Sequence, residues 1–194
     1  MEKQIIISIS REFGSCGHMI AKKVAQDLEI PLYDRNILEG IAKEKDIKVE
    51  HLEKFDEKPR NFMFTRSVGE HSNSMEEILV EMQFEYLQNK ADSGESFVVV
   101  GRCAETALKG REGLLSVFVL GDKDDKISHI KEEYQLSDLE ASFKMVRHDV
   151  KRRAYHNRYS DFKWGDSRGY DLCINSSRIG IDKAAAMIEA CVKD

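Results

Sequence analysis

Ile5-Ile6-Ile7-Ser8-Ile9-Ser10-Arg11-Glu12-Phe13-Gly14-Ser15-Cys16-Gly17-His18-Met19-Ile20 is the stretch on which the fold turns. Its first half is a short β-branched run of the kind found in a strand buried on both faces of a parallel sheet. Ser10–Gly17 is a polar loop with two glycines, and Met19, Ile20, Val24 and Leu28 then recur at helical spacing. Strand, glycine loop and helix together open an α/β unit. Such a loop aims backbone N–H groups and a helix N-terminus at an anion, usually phosphate. The lysine-bearing loop G-x-x-x-x-G-K-[ST] is not satisfied: Met19 stands five residues after Gly14, and no lysine lies inside the loop. Arg11 is the positive charge at its other end. A plain βα turn whose glycines serve packing is the competing reading.

Working outward, Ile30–Tyr33 is a second short strand ending at Asp34-Arg35, and Asn36–Lys45 is a helix with Ile37, Leu38 and Ile41 on one face. Val49, Leu52 and Phe55 suggest a short helical piece, and Lys58–Asn73 is a polar, irregular stretch. A helix is predicted over Met75–Lys90, and Phe97–Val100 is a strand running into Gly101-Arg102. Leu115–Leu120 is the next strand. Asp122 is placed to cap a helix with Ile127, Ile130 and Tyr134 on its inner face, and Leu139, Phe143, Val146 and Val150 give another long helix. Asp171–Ile174 and the periodic Ile181, Ala185, Ile188 and Val192 close the chain as strand and helix. Strands alternating with helices imply a parallel sheet covered on both faces. One domain with a lid-like excursion fits this order.

The chain of 194 residues has room for one such domain, and 41% apolar content excludes a disordered chain. No apolar run approaches the ~18 residues that span a bilayer. Met1-Glu2-Lys3-Gln4 shows no signal-peptide pattern. Cys16, Cys103, Cys173 and Cys191 lie far apart with no C-x-x-C, so free thiols and a cytoplasmic location are expected rather than a zinc site or disulfide framework. Net charge is −5, which argues against a general nucleic-acid coat. The charge is uneven: Arg147–Arg168 holds seven Lys/Arg against three Asp/Glu, and the rest of the chain is acidic. A local anion site follows more naturally than a global field.

Three features besides the loop point to that site. Gly101-Arg102 lies just past a strand, where ligands of open α/β sheets bind, and arginine grips phosphate bidentately. Asp34-Arg35 lies past another strand, where a helix cap plus a solvated arginine is the commoner outcome. The basic window interleaves Arg152, Arg153 and Arg158 with Tyr155, Tyr159 and Trp164. That mixture can close over a polyphosphate or stack single-stranded RNA. Cys103 and Cys173 are expected as small core residues, Cys16 has no adjacent base in sequence, and His156 is a proton carrier or a plain hydrogen-bond donor.

Taken together, these stretches resemble the cytidylate kinase-like proteins of bacteria, a branch beside the true cytidylate kinases. The matching residues are Ile7–Ser15 with Gly17, Tyr33-Asp34-Arg35, Val99–Ala104, Asp149 through Tyr155, Trp164-Gly165-Asp166, Tyr170-Asp171-Leu172 and Ile174-Asn175-Ser176. The resemblance implies a three-layer P-loop kinase-like α/β fold: a five-stranded parallel sheet in the order 2-3-1-4-5 with helices on both faces. Residues 1–194 would form a single domain, with an acceptor-binding insertion at about 46–75 and a lid at about 147–169. It further implies ATP with Mg²⁺ as donor, and a nucleotide such as CMP or another small phosphorylated molecule as acceptor. Ser10, Gly14, Ser15, Cys16, Gly17 and His18 would hold the donor phosphates, with Ser15 or Ser10 touching Mg²⁺. Arg11, Arg152, Arg153 and Arg158 would be the catalytic side chains, neutralising the transferring group. Asp34, Arg35, Gln83 and Arg102 would hold the acceptor. Cys103 stands where cytidylate kinases carry the aspartate of a Gly-Arg-Asp motif. Neither membrane nor nucleic acid is expected as a partner, and the oligomeric state is left open. The alternative is a non-catalytic nucleotide-sensing module with a degenerate loop; RNA binding by the aromatic-basic window is disfavoured by the net charge.

Overall fold

The computed structural model describes residues 3–54, 67–68, 71–72 and 75–193. In chain order the elements begin β1 (Ile6–Arg11), α1 (Gly17–Asp27), β2 (Leu32–Tyr33), α2 (Ile37–Glu44), α3 (Val49–Glu53), β3 (Ser67–Val68), β4 (His71–Ser72), α4 (Met75–Asp92) and β5 (Phe97–Val100). They continue with α5 (Ala104–Ala107), β6 (Leu114–Leu120), α6 (Lys123–Tyr134), α7 (Asp138–Tyr159), β7 (Leu172–Asn175), α8 (Ser176–Ile179) and α9 (Ile181–Ala190). Five strands form one sheet in the order β2-β5-β1-β6-β7, every pairing parallel. Counting only these strands along the chain, the order is 2-3-1-4-5, as the sequence implied. β3 and β4 pair with each other antiparallel, apart from this sheet. The remainder of the insertion expected at 46–75, beyond α3 and these two short strands, lies outside the described residues.

The parallel register explains why β1 is apolar on both sides. Ile7 and Ile9 align with Val98 and Val100 of β5, and this face packs on Ile20 and Val24 of α1 and Ala185 and Ile188 of α9. Ile6 aligns with Phe97, and that face packs on Ile37, Ile41, Leu79 and Leu87 from α2 and α4. Ser8 and Ser10 continue the Ile6 face, because side chains alternate along a strand. Both are buried, so a polar row runs under the carboxyl end of the sheet. The site grows on this row.

α6 and α7 form a helical hairpin over the loop after β1. Ser137 starts α7 with a reciprocal cap: its hydroxyl accepts from the Glu140 amide, and the Glu140 carboxylate accepts from the Ser137 amide at 2.9 Å. Ile130, Ala141 and Met145 close a small core on Phe13. Three sequence expectations need correction here. Asp122 occupies the position before α6 but makes no cap bond; its carboxylate accepts from Asn175 Nδ2 at 2.8 Å instead. Tyr134 is exposed rather than inward. Cys173 is exposed, because β7 is the edge strand and Cys173 lies on the side opposite buried Ile174. α7 forms where the spacing of Leu139, Phe143, Val146 and Val150 places a helix, and that apolar line faces solvent while Met145, Tyr155 and His156 are buried.

Candidate active site

The loop after β1 is bent by Gly14 (φ 84°) and Cys16 (φ 57°) before α1 begins at Gly17. A Cβ on Gly14 would lie 2.7 Å from the Lys126 carbonyl oxygen and 2.9 Å from Ile130 Cδ1, so the loop is seated directly on α6. The first-turn N–H groups of α1 have no carbonyl inside the helix to bond, which is the ordinary basis of anion binding at a helix start. Ser15 does not share that outlook. It is 1% exposed, and its hydroxyl donates toward the Glu12 and Val119 carbonyls at 2.9 and 3.1 Å. It therefore fastens the loop from behind. His18 is half exposed and lies 3.7 Å from the Asp34 carboxylate.

The α6–α7 hairpin grips the loop through side chains to which the sequence assigns no role. The Phe13 amide donates to Asp149 Oδ1 at 2.7 Å, and the Phe13 ring stacks on His148 at 4.2 Å. Lys126 is buried between Glu12 (2.8 Å) and Asp149 (3.6 Å). Burial pushes the Asp149 carboxyl above its ordinary range, an effect the Phe13 amide and Lys126 offset only in part. Asp149 thus takes one backbone amide of the glycine loop. The signal for this was weak: one carboxylate inside a basic window.

Cys16 has a base beside it after all. Its Sγ lies 3.2 Å from His129 Nδ1, a nitrogen that is also 3.1 Å from the Gly14 carbonyl oxygen. The carbonyl can only accept, so Nδ1 is the nitrogen that donates toward it. Burial pushes the Cys16 thiol above its ordinary value, and the negative charge of Glu133 adds to the effect. Its alkylation by iodoacetamide, followed by mass spectrometry against pH, is expected to show a midpoint above the free-cysteine value of about 8.5. Glu133→Gln is expected to bring that midpoint down. A midpoint below the free value would contradict this account.

Past β5 the backbone makes a turn of three successive left-handed residues, Gly101 (φ 75°), Arg102 (φ 65°) and Cys103 (φ 50°). For a non-glycine residue this conformation costs roughly 1–2 kcal/mol, so the turn is held against strain. What it achieves is to bury Arg102, 4% exposed, under the carboxyl edge of the sheet. The Arg11 guanidinium lies across Gly101, where a Cβ would overlap Nη1. Gly101→Ala is therefore expected to cost about 1–3 kcal/mol in urea unfolding. A loss no larger than that of Gly110→Ala, whose added Cβ would meet nothing within 4 Å, would show that the Arg11 contact carries no weight.

Ser10, Arg11, Gly101, Arg102, Cys103, Arg152, Tyr155, His156 and Trp164 line one narrow cleft of about 20 Å³, room for an ordered water. Of the expected site residues, the structure brings Ser10, Arg11, Arg102 and Arg152 together here. Arg152 Nη1 donates to the Arg11 carbonyl at 3.3 Å, and its guanidinium lies over Phe13. Arg153 is exposed and packs over Trp164 at 5.6 Å. Arg158 is tied to Glu77 on α4. Gln83 is 1% exposed beneath Tyr155, whose hydroxyl donates to it at 3.4 Å. Asp34 is engaged with Asn36, each side chain accepting from the other's amide; Arg35 is exposed, with its charge acting on Tyr134 of α6.

The cleft floor is a buried polar chain. His156 Nε2 lies 2.8 Å from Glu105 Oε1 and 3.2 Å from the Tyr170 hydroxyl, and Ser8 Oγ donates to Glu105 Oε2 at 3.1 Å. An ionised carboxylate only accepts, so the proton sits on Nε2, and Nδ1 has no hydrogen-bond partner. Burial, then the Glu105 charge, raises the Tyr170 phenol above its ordinary value. Cys103, Glu105 and His156 present potential metal-ligand atoms within 4.8 Å of one another. Three guanidinium groups line the same cleft, a setting that favours anions over a cation.

A parallel sheet in this order, with three arginines gathered at its carboxyl edge, is the architecture of the kinase-like class of α/β proteins. Comparison with known proteins narrows the class. The sequence model of the cytidylate kinase-like family matches residues 6–178, and the chain belongs to that family. A crystal structure of an uncharacterized protein from Eubacterium ventriosum ATCC 27560 is 36% identical, over 98% of this chain and 99% of that one, with a TM-score of 0.78. Shikimate kinase from Bacteroides thetaiotaomicron is similar in fold, with 15% identity, 98% and 99% coverage and a TM-score of 0.55. Shikimate kinase from Aquifex aeolicus is likewise similar, with 13% identity, 96% and 95% coverage and a TM-score of 0.53. No curated protein matches the sequence. Among the described residues no helix is long and apolar enough to cross a membrane.

Proposed function

We propose that this chain is an ATP-dependent phosphotransferase acting on a small phosphorylated acceptor, with CMP as the first candidate. The observation that carries the reading is the convergence of Arg11, Arg102 and Arg152 on one cleft beside the first turn of α1. Phosphoryl transfer needs positioning and charge neutralisation rather than a nucleophilic side chain, and three guanidinium groups supply both. Arg102, fixed by its strained turn, grips the acceptor phosphate; Arg11 and Arg152 face the group in transfer. The amides at the start of α1, from Gly17 and His18, receive donor phosphates, and Arg35 with Asp34 lies at the acceptor's approach. Ser10, which lines the cleft, rather than buried Ser15, would meet a Mg²⁺ carried on the nucleotide phosphates, and the ion would supply further charge neutralisation there. A cleft of about 20 Å³ admits a nucleotide only if α7 moves, so substrate binding and lid opening are coupled. ADP release measured with ATP, Mg²⁺ and each nucleoside monophosphate tests the proposal. Turnover with CMP above the other monophosphates is expected, and no turnover with any acceptor overturns it.

A second reading has its own observation. The loop has no lysine, and its Phe13 amide is held by Asp149, features that suit a nucleotide-sensing module. That reading expects calorimetric binding of ATP or CMP without ADP release in the same preparation.

A further inference from the structure

Leu139, Phe143, Val146 and Val150 are 67%, 68%, 52% and 56% exposed. No other element of the described residues carries more than one exposed large apolar side chain. At 3.6 residues per turn these four fall within about 60° of one another, on the side of α7 opposite buried Ala141, Met145 and Tyr155. Their spacing of four, three and four residues is the seam of a helix that packs along another helix, with the four residues at alternating d and a positions. A solvated helix face has no reason to keep that spacing in large apolar residues, and an apolar line of this kind marks an interaction surface.

We propose that this line is a self-association surface, on which α7 packs antiparallel against α7 of a second copy of this chain. The charge pattern selects both the occupant and the direction. Antiparallel pairing sets Leu139 beside Val150 of the second copy and Phe143 beside Val146. It also places exposed Glu140 beside exposed Arg147 of the second copy, and the two-fold axis repeats this pairing. Parallel pairing would instead set Arg147 beside Ser142 and lose the complementarity. The apolar line spans about 18 Å of helix at 1.5 Å per residue. That is a small seam beside a standard interface, so the association is concentration-dependent rather than permanent. The face used is opposite the one bearing Met145 and Tyr155, so pairing does not cover the cleft that Arg152 lines. The proposal is independent of the reaction catalysed.

Sedimentation velocity on the full chain, over a roughly hundredfold concentration range, tests it. The wild type is expected to rise from the 22.3 kDa monomer toward the dimer. Phe143→Glu is expected to raise the dissociation constant at least about tenfold, with an unchanged circular-dichroism spectrum. E140R and R147E provide the sharper measurement. Each alone sets like charges against each other and is expected to remain monomeric. An equimolar mixture of the two variants restores opposite charges at both contacts across the seam and is expected to dimerise. A wild type that stays monomeric throughout, a dimer indifferent to Phe143→Glu, or a mixture no more associated than either single variant would each overturn the proposal.

Discussion

Glu105→Ala is expected to cost about 2–5 kcal/mol of stability, the range for leaving two buried polar groups without their acceptor. Glu105 is 9% exposed, and both of its oxygens are used by groups more deeply buried than itself: His156 at 4% and Ser8 at 1%. Truncation leaves the imidazole with neither nitrogen bonded to a carboxylate and the Ser8 hydroxyl without its acceptor, in a region that water reaches poorly. Glu105→Gln keeps an acceptor oxygen and is expected to lose only about 1–2 kcal/mol. His156→Ala in the Glu105→Ala background should cost much less than His156→Ala alone, since the two act as one unit. Urea unfolding of these variants beside the wild type measures this. A cost below about 1 kcal/mol for Glu105→Ala would show that the chain from Ser8 to Tyr170 does not organise the cleft floor.

How far the sequence foretold this structure depends on the range of the interaction. The strands of the sheet were legible because a parallel strand buried on both faces is rich in β-branched residues, as in Ile5-Ile6-Ile7 leading into β1 and Val98-Val99-Val100 of β5. The turn at Gly101-Arg102 was legible for the same local reason: a glycine ending such a run. The line at Leu139, Phe143, Val146 and Val150 located a helix correctly but gave no indication of which face is inward. Periodicity reports that a face is apolar, not what covers it, and the buried face of α7 is made of Ala141, Met145, Tyr155 and His156, a less obvious set. Contacts between distant segments were hidden altogether. Asp149 to Phe13, Lys126 to Glu12 and His129 to Cys16 each join residues more than a hundred positions apart, and nothing in local pattern pairs them. The lid arginines show the same limit, since composition gathers Arg152, Arg153 and Arg158 in one window and only the helix decides which of them faces the cleft.

That geometry ranks the three arginines. Arg152→Ala is expected to lower kcat for phosphoryl transfer by about 10²–10³-fold, the effect of removing one preorganised charge from a developing anion, with a much smaller change in KM. Arg152 reaches the cleft and bonds the backbone of Arg11, so Arg152→Lys, with a point charge in place of a planar fork, should recover only part of the loss. Arg153→Ala is expected to stay within about threefold of wild type, because its guanidinium is spent on the Trp164 face at the exposed rim. Arg158→Ala should act on stability instead: its partner Glu77 has a side chain only 11% exposed, and an acid left there without its arginine is destabilising. At pH 7 that loss should be readable as a lower unfolding midpoint with kcat nearly preserved. Steady-state kinetics beside thermal unfolding separates the three outcomes. If Arg153→Ala or Arg158→Ala matched Arg152→Ala in kcat, the cleft described here would not be where transfer occurs, and the lid would have to close by a different rotation of α7.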